Sequence, residues 1–260
     1  MDRHERLSSV LTLLGQRGKV DVDELAEELA VSAATIRRDL DALAEQQLLT
    51  RTRGGAVAQH VSYDLPLRYK SARQTAGKER IARAAGELVE RGAVVGLNGG
   101  TTTTEVARVL AARADLIGRA DEPALTVVTN ALNIAGELAV RPQVKLVVTG
   151  GVARSQSFEL TGPLATRILD ELAMDVVFLG VNAIDAGGAY ARDEGEASVN
   201  RMLAERAARV VVVTESAKLD TRAFALICPL SVVDLLITDG DASAEALAAF
   251  EAAGVTVQIV

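Results

Sequence analysis

The sequence predicts an α/β chain in two parts: a small, helix-rich N-terminal unit and a larger domain built on a mostly parallel β-sheet. Three observations carry this expectation. Over 260 residues, 49% are hydrophobic and 24% charged, the balance of folded soluble domains, with room for a small domain beside a medium one. Residues 1–58 read as three short helices and a hairpin. From about Gly77 onward, apolar β-type runs alternate with helical ones, the pattern of a sheet covered on both faces. The expected divisions are 1–58, a linker at 59–76 where Tyr63-Asp64-Leu65-Pro66 interrupts the pattern, and 77–260.

Within the first unit, Asp21 followed by Glu24 is a capping box that opens a helix over Val22 to Ala30. Val31-Ser32 is a tight turn, and Ser32 is the N-cap of a third helix, Ala33 to Gln46. There Ile36, Leu40 and Leu43 fall on one stripe and face the core. Ala34, Thr35, Arg37, Arg38 and Asp41 are left wholly or partly outward. Two helices across a short turn, the second with an arginine pair in its exposed N-terminal half, make a helix-turn-helix. Leu48 to Val57 follows as a β-ribbon, with Arg51 and Arg53 alternating onto one face and Gly54 and Gly55 allowing a turn or a close approach. The unit is thus expected to be a winged helix-turn-helix whose DNA-reading residues are Ser32, Ala34, Thr35, Arg37, Arg38, Arg51, Arg53, Gly54 and Gly55.

Isolated arginines are usually solvated surface charges, and that reading stands beside this one. Composition bears on the choice. The formal net charge is −7, from 28 Lys and Arg against 35 Asp and Glu, so overall charge does not draw the chain to nucleic acid. Any basic site must be local, and from Ser32 to Ala58 the bases number 4 against 3 acids. Trp is absent and aromatics are 3%, which argues against base-stacking platforms for single strands. No run approaches the roughly 20 apolar residues that span a bilayer, and Met1 to Arg6 carries no apolar segment. A cytoplasmic protein with no membrane partner is expected. Cys228 is the single cysteine, which excludes an internal disulfide, and His4 and His60 are the only histidines. No metal or cofactor is expected.

In the second unit the strand-like runs are Ala93 to Leu97, Leu125 to Thr129, Val144 to Thr149, Asp175 to Val181, Arg209 to Thr214, Val232 to Thr238 and Val255 to Val260. An amphipathic helix through Ile81, Ala84, Ala85 and Leu88 precedes them. Further helices are expected at Thr103 to Arg113, Leu132 to Ala139, Gly162 to Glu171, Glu194 to Ala207 and Ala244 to Ala253. The first strand runs into Asn98-Gly99-Gly100-Thr101-Thr102, a Gly- and hydroxyl-rich turn at a helix start. Such a turn offers backbone amides and the positive helix end to a phosphate, and it is equally a plain strand-to-helix turn. Thr129-Asn130, Thr149-Gly150-Gly151 and Gly180-Val181-Asn182 punctuate three further strand ends. Ligands of open α/β sheets bind beyond such ends, so four turns lining one crevice favour a small-anion site. Lys218 and Glu194 read either as a phosphate partner and a hydroxyl acceptor, or as a surface lysine and a solvated helix start. Glu196 reads as solvated, and Arg154 and Gln156 are weaker candidates for ligand contact or a lid.

These residues carry a resemblance. Val31-Ser32-Ala33-Ala34-Thr35-Ile36-Arg37-Arg38-Asp39-Leu40, followed by Arg51-Thr52-Arg53-Gly54-Gly55-Ala56, resembles the DeoR family of bacterial transcriptional regulators. It extends through Gly99-Gly100-Thr101-Thr102, Thr126 to Asn130, Gly150-Gly151, Phe178-Leu179-Gly180 and Ser216-Ala217-Lys218. The resemblance implies a repressor of sugar or amino-sugar catabolic genes. Its C-terminal domain would resemble ribose-5-phosphate isomerase and sense a phosphorylated sugar through Asn98, Gly99, Gly100, Thr101, Thr102, Thr129, Asn130, Gly150, Gly151, Asn182, Glu194 and Lys218. Two departures stand out: Asn98 replaces the family's usual Asp before the turn, and Glu215 replaces an Asp near Lys218. Both leave proton abstraction of the isomerase type without its usual acid. The expected partners are operator DNA and the sugar phosphate, with a homodimer or homotetramer matching repeated half-sites. An isomerase or deaminase with a fused DNA-binding head, and a winged helix serving protein docking, are the competing functions.

Overall fold

The computed structural model describes residues 3–45, 48–57, 75–116, 123–240, 242 and 244–260. The chain divides into two compact units, Met1–Arg73 and Gln74–Val260. Residues 59–74 of the expected linker lie outside the described residues, and its last two positions belong to a helix that starts at Thr75.

The first unit runs α1 (Arg3–Arg17), β1 (Lys19–Asp21), α2 (Val22–Glu28), α3 (Ala33–Glu45), β2 (Thr50–Arg51) and β3 (Gly55–Val57). Its core joins Leu7, Val10, Leu11 and Leu14 of α1 to Leu25, to the stripe Ile36, Leu40 and Leu43, and to Leu49. The caps work locally. Asp21 accepts a hydrogen bond from the Asp23 amide at 2.8 Å, and Ser32 Oγ accepts from the Thr35 amide at 3.2 Å. The ribbon gains a strand that periodicity does not reveal, because Lys19-Val20-Asp21 is too short to show alternation. The antiparallel order is β1-β3-β2. Gly55 explains itself here, since a Cβ on it would lie 1.9 Å from the Val20 carbonyl oxygen. Only a residue without a side chain lets β3 approach β1 so closely.

The second unit runs α4 (Thr75–Glu87), β4 (Val94–Leu97), α5 (Thr101–Ala112), β5 (Leu125–Thr129), α6 (Leu132–Leu138), β6 (Val144–Val148), β7 (Val152–Ala153), β8 (Leu160–Thr161), α7 (Pro163–Leu169), β9 (Val176–Leu179), β10 (Ala183–Asp185), β11 (Gly188–Ala191), α8 (Glu194–Glu205), β12 (Val210–Val213), β13 (Ala225–Cys228), β14 (Leu235–Thr238), α9 (Ala244–Ala252) and β15 (Thr256–Ile259). Seven strands form a parallel sheet in the order β15-β14-β12-β9-β4-β5-β6. Ile81, Val106, Leu110, Ile134 and Leu138, from α4, α5 and α6, cover Val95, Val127, Phe178, Val211 and Ile237 on one face. Ala165, Leu169, Leu203 and Phe250, from α7, α8 and α9, cover Val177, Leu179, Val212 and Leu236 on the other. The strands are apolar at successive positions because both faces are buried.

The chain leaves β4 toward β5 and β6, then returns to the other side of β4 with β9. The strand order therefore reverses between β4 and β9, the switch point where crevices open in such sheets. Two features were not expected. A small antiparallel sheet, β10-β11-β13, interrupts the alternation, and β7 and β8 pair as a short strap over Val152–Thr161. Helix α5 also begins two residues before the expected Thr103. The Gly100 oxygen accepts from the Thr104 amide and from the hydroxyls of Thr103 and Thr104, which draws Thr101 and Thr102 into the first turn. Among the described residues no helix is long and apolar enough to cross a membrane, and no group of three or more His, Cys, Asp or Glu side chains is placed to hold a metal.

Gly55→Ala should destabilise the first unit by about 2 to 3 kcal/mol or more, since the clash is with backbone and cannot be relieved by a rotamer. Thermal melting of the variant checks this; an unchanged transition would mean that β3 does not pack on β1.

Candidate functional site

On α3, Ser32, Ala34, Arg37 and Arg38 are exposed and Thr35 is half-buried, so the N-terminal half of the helix presents small polar groups and two guanidinium groups together. Arg37 and Arg53 make no ion pair with a described residue, and Arg38 Nε reaches back to the Ala34 carbonyl at 3.3 Å. Arg51 behaves differently. Its Nε lies 2.8 Å from Asp41 Oδ1 and a terminal nitrogen donates to the Gly55 oxygen at 2.6 Å, so it ties the wing to α3 instead of sharing a face with exposed Arg53. Gly54 is exposed, whereas Gly55 is buried against β1. Sequence reasoning missed the pair beneath. Asp39 is buried inside the arginine-rich turn and accepts from Arg6 of α1, Nε to Oδ2 at 2.5 Å.

In the second unit the expected residues gather around the ends of β4, β5 and β9. Asn98 is fully buried, with Nδ2 donating to the Gly180 oxygen at 2.9 Å and Oδ1 accepting from the Gly180 amide at 2.8 Å. Both arms of Asn98 thus join β4 to β9. Gly100 sits at φ +146° as the N-cap of α5 and supplies no side-chain cap. The amides of Thr101 and Thr102 are in the first turn, where a helix offers no internal acceptor. Lys218, in the helical turn Ser216–Lys218, donates from Nζ to the Val181 oxygen at 2.8 Å, just past Gly180. Thr129 Oγ1 accepts from the Ala131 amide, and Asn130 begins the turn beside it. Gly150 and Gly151 take φ of +72° and +116° where the chain enters the strap.

Other candidates lie apart from this group or have other work. Asn182 Oδ1 accepts from the Arg192 amide at 3.0 Å and braces the small sheet. Glu194 is exposed at the start of α8, while Glu196, expected to be solvated, is buried. Arg154 of the strap binds Glu196 at 2.9 Å and Asp193 at 3.1 Å. Glu215 is buried beside Lys78 of α4 at 3.6 Å. Its Asp-to-Glu departure therefore falls in an internal ion pair.

The residue that sequence reasoning did not single out is Glu159. It is enclosed beneath the strap, and a Cβ on Gly99 would lie 2.3 Å from Glu159 Cγ. Asn130 Nδ2 donates to it at 2.9 Å, and Asn200 of α8 and the Gly99 amide also donate. Burial, and then the charge of Glu196, push its carboxyl up to about 8 against these hydrogen bonds, which favour the ionised form. The signal was slight: Glu159 is an acid flanked by Phe158 and Leu160, shortly before Gly162-Pro163.

Comparisons with known proteins agree along nearly the whole chain. A family model for the DeoR C terminal sensor domain matches residues 73–240, and one for the DeoR-like helix-turn-helix domain matches residues 6–61. A putative aga operon transcriptional repressor of Escherichia coli O157:H7 is 36% identical over 98% of this chain and 93% of its own length. The glycerol-3-phosphate regulon repressor of Escherichia coli K12 is 32% identical, covering 92% of each. Among solved structures, ribose 5-phosphate isomerase A from Methanocaldococcus jannaschii aligns with 58% of this chain and 54% of its own at a TM-score of 0.39 and 19% identity.

The raised carboxyl gives a pH signature. The folded chain holds on Glu159 a proton that the unfolded chain releases, so this contribution to stability is complete below the ordinary glutamate range and is lost as pH rises toward 8. Melting temperature should fall from pH 5.5 to 8, and less steeply in Glu159→Gln, the difference reaching at most about 1.4 kcal/mol per pH unit. Parallel declines in the two proteins would place the proton elsewhere.

Proposed function

This chain belongs to the DeoR family of transcriptional regulators, and we propose that it is a cytoplasmic repressor that reads operator DNA through its winged helix-turn-helix and releases it when a phosphorylated sugar enters the crevice between β4 and β9. The DNA half rests on the exposed arginine pair at the start of α3. Arg37 and Arg38 enter the major groove with Ser32, Ala34 and Thr35 beside them, each arginine discriminating a base pair by roughly 1 to 3 kcal/mol. Arg53 and the Gly54 backbone meet phosphates. Arg51 and Gly55 position the wing. One such reader per chain implies a dimer or tetramer on repeated half-sites.

The effector half rests on the switch-point crevice, where the first-turn amides of α5 and the Lys218 ammonium lie beyond the ends of neighbouring strands. An anion is the ligand group such a place holds. Asn98 shapes it by joining β4 to β9, and Gly99, Gly100, Thr101 and Thr102 line it. Thr129, Asn130, Gly150 and Gly151 frame it, while Asn182 acts through the small sheet it braces and Glu194 is exposed at the start of α8. We read the crevice as binding and not catalytic, because its enclosed acid is surrounded by donors and both histidines lie outside residues 77–260. The names of the relatives support the regulatory reading, two of them being repressors of an aga operon and a glycerol-3-phosphate regulon.

Replacing both Arg37 and Arg38 with Ala should abolish selective binding to a duplex enriched by the unmutated chain, with the melting temperature unchanged. Arg53→Ala should weaken binding to all sequences and flatten its salt dependence. Gel shifts across a salt series check both; selective binding at unchanged affinity in the double variant would sink the major-groove reading.

Lys218→Met should give a protein that binds this duplex normally but is no longer released by sugar phosphates, since a ligand shifts the DNA equilibrium only by its differential affinity for the two states. Release at the original ligand concentration would put the effector elsewhere.

A further inference from the structure

Three buried polar side chains converge under the strap: Glu159 from the strap itself, Asn130 at the end of β5 and Asn200 in α8. Both asparagines donate to the Glu159 carboxyl, which orients their amides with nitrogen toward the acid and oxygen away from it. Asn130 Oδ1 and Asn200 Oδ1 then have no hydrogen-bond partner, although the two residues are 0% and 2% exposed. Folded proteins leave few buried acceptors unpaired, because each one costs the desolvation of a polar group. A proton on Glu159 satisfies one of the two oxygens at most. The nearby cations are committed, Arg154 to Asp193 and Glu196 and Lys218 to the Val181 oxygen. What the two asparagine oxygens lack is hydrogen-bond donors.

We propose that Asn130, Glu159 and Asn200 form a second subsite of the crevice that takes hydrogen-bond donors, and that Glu159 is its specificity-determining residue, selecting phosphate esters by the hydroxyl or amino groups they carry away from the phosphate. The proposal rests on the phosphorylated-sugar reading above and deepens it. Charge orients the ligand. The charge of Glu196, which already works against ionisation of Glu159, disfavours an anion in this subsite, while Gly99, against which Glu159 lies, leads directly to the Gly100–Thr102 turn that suits one. Phosphate and donor groups are thereby held at opposite ends of one short crevice. The strap closes the donor end, bounded by Gly150, Gly151 and Gly162 at φ of +72°, +116° and +89°. Entry turns on those glycines.

Calorimetric titration of the full chain tests this with inorganic phosphate, ribose 5-phosphate, glucose 6-phosphate, fructose 6-phosphate, glucosamine 6-phosphate and galactosamine 6-phosphate, followed by the monodeoxy analogues of the tightest binder. At least one sugar phosphate should bind a hundredfold or more tightly than inorganic phosphate. Glu159→Gln, which sets a donor amide against two others, should reduce that preference tenfold or more, and Asn200→Ala should shift it the same way. One deoxy analogue should lose tenfold or more on the unmutated chain and little further on Glu159→Gln, a coupling that a merely structural role would not produce. If the preference and the deoxy series are both unchanged, the donor subsite is overturned and the phosphorylated-sugar reading survives. If no sugar phosphate outbinds inorganic phosphate, both fall. Should either variant fail to melt as a folded protein, the deoxy series on the unmutated chain decides alone, and no loss in it overturns the proposal.

Discussion

The paired hydrogen bonds between Asn98 and Gly180 hold together the ends of β4 and β9 at the switch point of the second unit. Parallel strands β4 and β9 are neighbours in the sheet, yet their chains depart in opposite directions, β4 into α5 and β9 toward the small sheet. Beyond Leu97 and Leu179 an asparagine side chain takes over from the ladder, offering a donor and an acceptor to one peptide unit as a neighbouring strand would. An ionised carboxylate at this position would accept from the Gly180 amide but face the Gly180 oxygen with a second acceptor. The departure from the family's usual Asp therefore changes how β4 is joined to β9. Gly99, Gly100 and, through Val181, Lys218 all take their places from this pair.

In the first unit the exposed and buried charges divide the labour. Arg37, Arg38 and Arg53 face outward, while Asp39 and Asp41, their neighbours in sequence, hold Arg6 and Arg51. Acid near a DNA-reading helix weakens phosphate binding when it is left in solvent. Here Asp39 is neutralised by an arginine of α1, and Asp41 is offset by the wing, which also fixes the wing's distance from α3. The chain carries a net charge of −7 and still leaves Arg37 and Arg38 exposed on one helix end and Arg53 exposed on the ribbon.

Periodicity made the large elements legible. All seven strands of the parallel sheet and the helices between them were visible, because burial on both sides makes apolar runs and their glycine punctuation long enough to read. Lys19–Asp21, Val152–Ala153 and Leu160–Thr161 were not, since two or three residues hold no period and their pairing is decided by tertiary contact. The same limit explains the site. Glycine and threonine turns announced the strand ends, but Glu194 and Glu196 differ by about 200° of helix rotation, and spacing left Glu194 open while reading the buried Glu196 as solvated. Glu159 and Asn200 lie 41 residues apart in sequence and meet only in the fold. Asp39 lies three residues after Ile36 and four before Leu43, on the core stripe itself, and a reading that follows only apolar residues passes over a charge at such a position.

Cys228 lies at the end of β13, buried, with its thiol pushed up to about 11 by desolvation. A thiol so placed presents almost no thiolate to solvent at neutral pH and is inert to maleimides and to mild oxidants. Since the sequence contains no other cysteine, any cysteine introduced on the surface becomes the single labelling site without prior removal of a native one. Spin labels or fluorophores attached to the exposed strap residues and to the outer face of α3 would thus report separately on each of these two surfaces, in a background that needs no further mutation.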